Sequence, residues 1–366
     1  MFIYIKSLRL NSIQVLVFLG LLGCLTPIEF PVEIAGGLLV VSGQISTISD
    51  QNYVSLGTTA TTERLPIPLS GALIELVNDL DNSVSYTENP LQPGVYKLPG
   101  VKGITGTTYH IEIILPNGKI YKSIPEKMHE PTLLDSVYYD IVYEDIVDAD
   151  GTFQNDQPFF NIYCNTTFSK TSTYFLRWKV EETFKLSPTD FPDPFGVIPP
   201  PCYIVQNADP QRIALFDGVT IDANKIQKQL VASKKIDWTF FERHYFTTYQ
   251  SSISKESHNY LRKVNILANQ VGSIFDTPPA EITGNIVNSN DPKEKVLGFF
   301  QATNQTYNRF FVLPENLPFK LLYEKCDYKG DFNGNTLVGY NPLNYPRRCI
   351  ECTSVPNSSY ERPVWF

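Results

Sequence analysis

The run GTTYHIEIILPNGKIYKS, residues 106–123, carries the clearest fold signal in the chain. Two β-rich segments, Thr107 to Leu115 and Lys119 to Ser123, flank Pro116-Asn117-Gly118. Asn-Gly between two such runs is the strongest short-range hairpin signal, because both residues tolerate positive φ. The hairpin has upstream neighbours of the same kind. LLVVSGQIS (residues 38–46) is apolar and β-branched, and Tyr53 to Gly57 is a second short strand. The turn Pro68-Leu69-Ser70-Gly71 leads into Ala72 to Val77, residues 78–82 form a polar turn, and Pro93-Gly94 opens another strand to Leu98. Six or seven short strands, with turns every ten or so residues, predict a small β-sandwich over residues 36–125.

In order, SGALIELVN, PGVYKLPG and GTTYHIEIILPNGKIY resemble carboxypeptidase-regulatory and transthyretin-like sandwiches, a likeness that speaks to fold and not to activity. Beyond a linker at residues 126–134, a larger β-rich domain is expected to run to residue 366. Strands are predicted at 135–143, 159–168, 173–184, 212–219 and 244–250. In the third of these, Tyr174, Leu176, Trp178 and Val180 share one face, while Arg177, Lys179 and Glu181 share the other. That alternation marks a half-buried strand. The proline-rich PTDFPDPFGVIPPP, residues 188–201, cannot pair as a central strand and predicts a surface loop. Val296 to Ala302 and Asn308 to Val312 are expected to be paired strands.

One amphipathic helix is expected at about 254–271. Ser254 is a good N-cap, and Glu256 in the first turn suits the helix dipole. Tyr260, Leu261, Val264, Leu267, Ala268 and Val271 recur at helical spacing, and Gly272 is the expected stop. The fold class is therefore mainly β: two β-sandwich-like domains with a helix in the second.

The run SSISKESHNYLRKV (251–264), followed by GSIFDTPPAEITGNI (272–286), KEKVLGFFQAT (293–303) and Phe310-Phe311-Val312, strongly resembles the Bacteroidetes lipoprotein family known as domain of unknown function 4249. Cys349 and Cys352 near the aromatic Trp365 agree with that family. The family has no established catalytic residues to carry over. The resemblance implies a cell-envelope lipoprotein, with a TonB-dependent outer-membrane transporter as the partner.

The start of the chain points to the same address. Lys6 and Arg9 form a basic leader, and Ile13 to Leu22 is an apolar run too short for a span of about 20 residues. Leu21-Leu22-Gly23-Cys24 then reads as a lipobox, which makes residues 1–23 a signal peptide, Cys24 the lipidation site and residues 24–35 a tether. The expected localisation is the outer membrane, lipid-anchored, on its periplasmic or surface face. Removing residues 1–23 takes away Lys6 and Arg9 and no acid, so 30 basic residues become 28 against 38 acidic, a net of −10. That acidity argues against nucleic acid as a partner, since phosphates need a basic face.

An oxidising compartment makes disulfides the default, with Cys202, Cys326, Cys349 and Cys352 as the candidates and the connectivity open. Cys349 and Cys352 have the spacing of a redox or half-zinc site, but there is no second such pair. Cys164 sits in an alternating run and is expected to be buried. Asp148 and Asp150, before Gly151, and Asp331 and Asn333, before Gly334, are candidate Ca²⁺ ligands, although neither fits the spacing of the twelve-residue calcium loop. His129-Glu130 is followed by Pro131, so it is not a zinc-protease helix, and no nucleophile elbow or phosphate loop is present. The leading expectation is a non-enzymatic binding or accessory protein. A hydrolase on glycans or peptides and a structural or adhesive envelope protein are the alternatives.

Overall fold

The computed structural model describes residues 37–60, 65–148, 150–169, 174–187, 200–219, 224–269, 282–321, 331–333, 336–338 and 351–366. The chain is mainly β. The first part forms β1 (Leu39–Ser46), β2 (Tyr53–Thr58), β3 (Ile67–Pro68), β4 (Leu73–Asn78), β5 (Ser83–Ser85), β6 (Thr87–Glu88), β7 (Val95–Lys97), β8 (Thr108–Ile114), β9 (Ile120–Ser123) and β10 (Glu126–Lys127). There follow β11 (Leu133–Val147), β12 (Phe153–Thr167), β13 (Phe175–Leu186), β14 (Cys202–Asn207), β15 (Ala214–Asp217), β16 (Lys225–Lys235) and β17 (His244–Ile253). Helix α1 (Lys255–Ala268) precedes β18 (Ile286–Asn288), β19 (Leu297–Val312), β20 (Asp331–Asn333), β21 (Thr336–Val338) and β22 (Ser358–Ser359).

The hairpin that opened the sequence reading is present, with a difference in its turn. Leu115 accepts from the Gly118 amide at 2.9 Å and donates its own amide to Lys119. Only Gly118 has positive φ, and the Asn117 side chain instead caps the Lys119 amide at 3.1 Å. This is the three-residue hairpin loop, in which one glycine supplies the left-handed position. Strands β8 and β9 lie in a six-stranded sheet of order β18-β9-β8-β4-β5, with β10 also on β8. That sheet packs on β1, β2, β7 and the start of β19. Ile74, Ile111, Ile113 and Tyr121 meet Val41, Ile45, Val54 and Phe300 in one core.

A second core lies between the three-stranded sheet β11-β12-β16 and strands β13, β15 and β17. Phe160, Ile162 and Val231 meet Leu176, Trp178, Val180 and Phe246 there, so the alternation read in β13 is realised. Strand β16 was not expected. Its sequence KIQKQLVASKK is rich in Lys and Gln, and only Val231 and Ala232 are buried, so the alternation signal is weak.

One long sheet unites both cores, in the order β22-β14-β13-β17-β19-β1-β2-β7-β6. One expectation is corrected here. Residues 297–312 form one 16-residue strand, not a pair of strands. Its first half, Leu297 to Thr303, pairs parallel with β1, and its second half, Asn304 to Val312, pairs antiparallel with β17. The polar stretch Thr303 to Thr306 resembles a turn in sequence, yet partners hold it extended. Asn304 Nδ2 donates to Thr105 Oγ1 (2.7 Å) and to the His129 carbonyl, and Gln305 Nε2 donates to Ser251 Oγ (2.9 Å). Contacts cross residue 125/126 in both directions. The first core takes β18 and the front of β19 from the far end of the chain, and β18 pairs with β9.

Candidate functional site: a cavity where helix and sheet meet

Strand β1 and strand β17 meet β19 on successive segments, which creates a joint between the two cores. A polar network fills it. Gln301 donates to Gln44 Oε1 and accepts from Ser257 Oγ (2.9 Å), while Gln44 donates to the Gln51 carbonyl (2.7 Å). Ser46 Oγ donates to Gln305 Oε1 at 2.5 Å, and Gln51 donates to the Tyr249 hydroxyl at 3.2 Å. Glycine is required where the backbones cross: a Cβ on Gly298, at φ 106°, would run into the Val41 carbonyl, and one on Gly284 would run into Gly298 itself.

The predicted cap seats the helix over this joint. Ser254 Oγ accepts from the Ser257 amide at 3.0 Å and donates to Glu126 Oε2 at 2.5 Å. Glu126 is almost fully buried, and burial pushes its carboxyl up to about 7, with the nearby Glu256 adding to the rise and the bonds from Ser254 and Asn285 opposing it. One turn on, Tyr260 lies against Phe299 with ring centres 5.0 Å apart, and His258 lies against Phe175 at 5.2 Å. The helix ends at Ala268 with Asn269 as its cap, so the expected Gly272 stop lies outside the described residues. Of the predicted apolar face, Tyr260, Leu261, Val264 and Leu267 are only partly buried and Ala268 is exposed. The helix is fastened by its first turns.

Between α1, β1, β2, β13 and β19 lies a cavity of about 220 Å³. Arg177, Tyr53, Tyr260, Gln301 and Phe299 are among the residues around it, with Val40, Leu261 and Leu297 as apolar wall. Arg177 is partly buried, and among the described residues its guanidinium makes no hydrogen bond or ion pair. Burial lowers its pKa, and Tyr53 opposes that shift. Glu181, two positions along the same face of β13, is already bonded to Lys179 at 2.7 Å. Lys97 sits over the Tyr53 ring at 5.5 Å, its pKa lowered first by burial. The cavity is thus small, cationic at one wall and apolar or aromatic at the others.

A second buried polar cluster lies in the other core. Glu182 accepts from Gln206 (2.7 Å) and Lys234 (3.0 Å), and it faces His244 Nε2 at 3.1 Å. His244 stacks on Phe240 at 4.0 Å and on Phe184 at 5.3 Å. Burial alone would raise the Glu182 carboxyl, but His244, Lys234 and Gln206 together hold it below its ordinary value. Every member has a partner, so the cluster reads as a structural ion-pair network.

The residues singled out in the sequence fall elsewhere. Cys202 and Cys352 form a disulfide, with Cα atoms 5.8 Å apart and 150 residues between them. It joins a small cluster with Phe184, Leu186 and Ile204, and ties the C-terminal segment to β14. Cys164 is free and buried. Cys24, Cys326 and Cys349 lie outside the described residues, as does most of the proline-rich stretch 188–201. Asp148 and Asp150 sit in the β11–β12 turn, where Asp148 accepts from Gln154 and Asp150 Oδ1 accepts from the Thr152 amide at 2.9 Å. Asp331 and Asn333 lie on β20, which pairs with β21. Among the described residues no group of three or more His, Cys, Asp or Glu side chains is placed to hold a metal ion, and no helix is long and apolar enough to cross a membrane.

Arg177 was legible only as one polar residue on an alternating strand. An unpaired arginine and a solvated one have the same sequence signature, and the difference depends on β1, β2 and α1 closing around it.

The fold is that of a mainly β protein with two cores joined along one sheet and a single described α-helix over the joint. The chain belongs to the family described as domain of unknown function (DUF4249), which it matches over residues 25–309. A search of curated proteins gave no match.

Proposed function

We propose that this chain is a cell-envelope lipoprotein, anchored to the outer membrane through lipid on Cys24, that binds its ligand without transforming it. In this reading it serves as an accessory to a TonB-dependent transporter in nutrient uptake. The observation that carries the address is the Cys202–Cys352 disulfide, because such bonds persist outside the reducing cytoplasm. The family match starts at residue 25, directly after Cys24, which supports residues 1–23 as a removable leader. The cavity at the joint supports a binding role, since small-molecule sites are concave, mostly apolar and fitted with a few polar groups. Mass spectrometry of the mature N-terminus tests the anchor: an acylated Cys24 is expected, and an unmodified Cys24 or cleavage elsewhere refutes it. Co-purification in mild detergent tests the partner. A transporter should be recovered with the wild type, and recovery of the protein alone counts against the association.

A further inference from the structure

We propose that the cavity beneath α1 is a binding site for a small organic carboxylate, with Arg177 as the recognising cation. This rests on the binding role proposed above and specifies the ligand class. The guanidinium carries five donors in a planar fork that matches a carboxylate. Here it borders a cavity and has no acceptor among the described residues. A cation drawn partly out of water without a counter-charge costs free energy, and an entering anion offsets that cost. Farther along the same face of β13, Glu181 is engaged by Lys179. Lys97 stands over the ring of Tyr53 but does not line the cavity, so Arg177 is its one cationic lining residue among the described residues.

The remaining walls decide between an inorganic and an organic anion. Val40, Leu261 and Leu297 are aliphatic, Phe299 and Tyr260 offer aromatic surface, and Gln301 supplies a polar edge. A fully hydrated phosphate gains nothing from such walls, whereas a carboxylate on a short apolar or aromatic body satisfies both halves of the site. The volume, about 220 Å³, lies below the roughly 300–1,000 Å³ of drug-sized sites and sets the ligand as a small one. Helix α1 closes one side of the site. Its first turns are bonded to Glu126 and Gln301, while the partly buried Tyr260 and Leu261 form the helix side of the cavity.

The test uses the full chain purified in a neutral detergent, with benzoate as probe, benzamide as its uncharged counterpart and inorganic phosphate as the competing anion. Calorimetry should show saturable benzoate binding, no benzamide binding and no displacement by phosphate. Arg177→Gln should weaken benzoate by about 10- to 100-fold, the span of a lost charge-assisted bond, with an unchanged circular dichroism spectrum. A second readout needs no variant: benzoate should slow phenylglyoxal modification of Arg177 in the wild type, measured on the peptide by mass spectrometry, and benzamide should not. Equal benzoate affinity in Arg177→Gln, equal modification of Arg177 with and without benzoate, or no saturable binding each overturns the proposal. Phosphate binding in preference to benzoate overturns the organic class. None of these outcomes depends on Cys24 acylation or on a transporter, so failure here is separable from failure of the envelope reading.

Discussion

Replacing Glu126 with Gln should make the protein more stable at pH 8 and leave it nearly unchanged at pH 5. Glu126 is 4% exposed and receives the Ser254 hydroxyl at 2.5 Å, beside the start of α1. Its carboxyl is pushed up from 4.5 to about 7, chiefly by burial. The folded protein therefore holds this proton more tightly than the unfolded chain does. Below about pH 4.5 the group is protonated in both states and costs nothing. As pH rises from 4.5 to about 7 the unfolded chain releases the proton first, and folding stability falls. Above about 7 both states are ionised and the loss is constant. The difference between 4.5 and about 7, at about 1.4 kcal/mol per pH unit, sets the loss at roughly 3.5 kcal/mol as an upper bound. Glutamine keeps an acceptor oxygen for Ser254 and never ionises. Urea unfolding followed by tryptophan fluorescence at pH 5, 6, 7 and 8 should show the variant gaining about 1–3 kcal/mol over the wild type across that range. A difference between the two proteins that stays flat from pH 5 to pH 8 would refute the assignment of Glu126 as a buried, proton-retaining carboxyl.

Other substitutions probe the joint and the cores. Cys352→Ser opens a closure of 150 residues, for which chain entropy gives about 5 kcal/mol at most, so a loss of about 3–5 kcal/mol is expected in denaturant titration. An unchanged midpoint would deny the bridge a stabilising role. Gly298→Ala forces a Cβ into the Val41 carbonyl at a positive φ and should cost at least about 3 kcal/mol, visible as lost soluble yield or a much lower Tm. Glu182→Ala strands Lys234 and His244 in the second core and should cost about 3–5 kcal/mol by urea unfolding at pH 7. A loss under about 1 kcal/mol would show that water reaches the cluster.

The parts of the fold that depend on neighbours in sequence were readable. The loop at Asn117-Gly118 needs one left-handed glycine, and the chain supplies it within the hairpin. Ser254 caps the amide three residues on. The alternation from Leu176 to Val180 marks a half-buried strand whatever it packs against. Each signal acts over a few residues, where backbone dihedrals and hydrogen bonds set the outcome. The candidate disulfide set was also legible, but its pairing was not, because chain order does not say which of Cys326, Cys349 and Cys352 reaches Cys202.

What lay beyond the sequence depends on distant partners. Thr303 to Thr306 has the composition of a turn, and pairing with β1 and β17 together with bonds to Ser46, Ser251, Thr105 and the His129 carbonyl keeps β19 extended. The parallel pairing of β1 with β19 joins Val40 to Leu297 across most of the chain, and no local periodicity encodes that register. The same pairing brings the front of β19 to the first core and creates the joint. The sequence by itself determined a mainly β chain, a capped helix and a family. The tertiary structure decided that Arg177 borders a cavity, because burial is a property of what closes around a side chain.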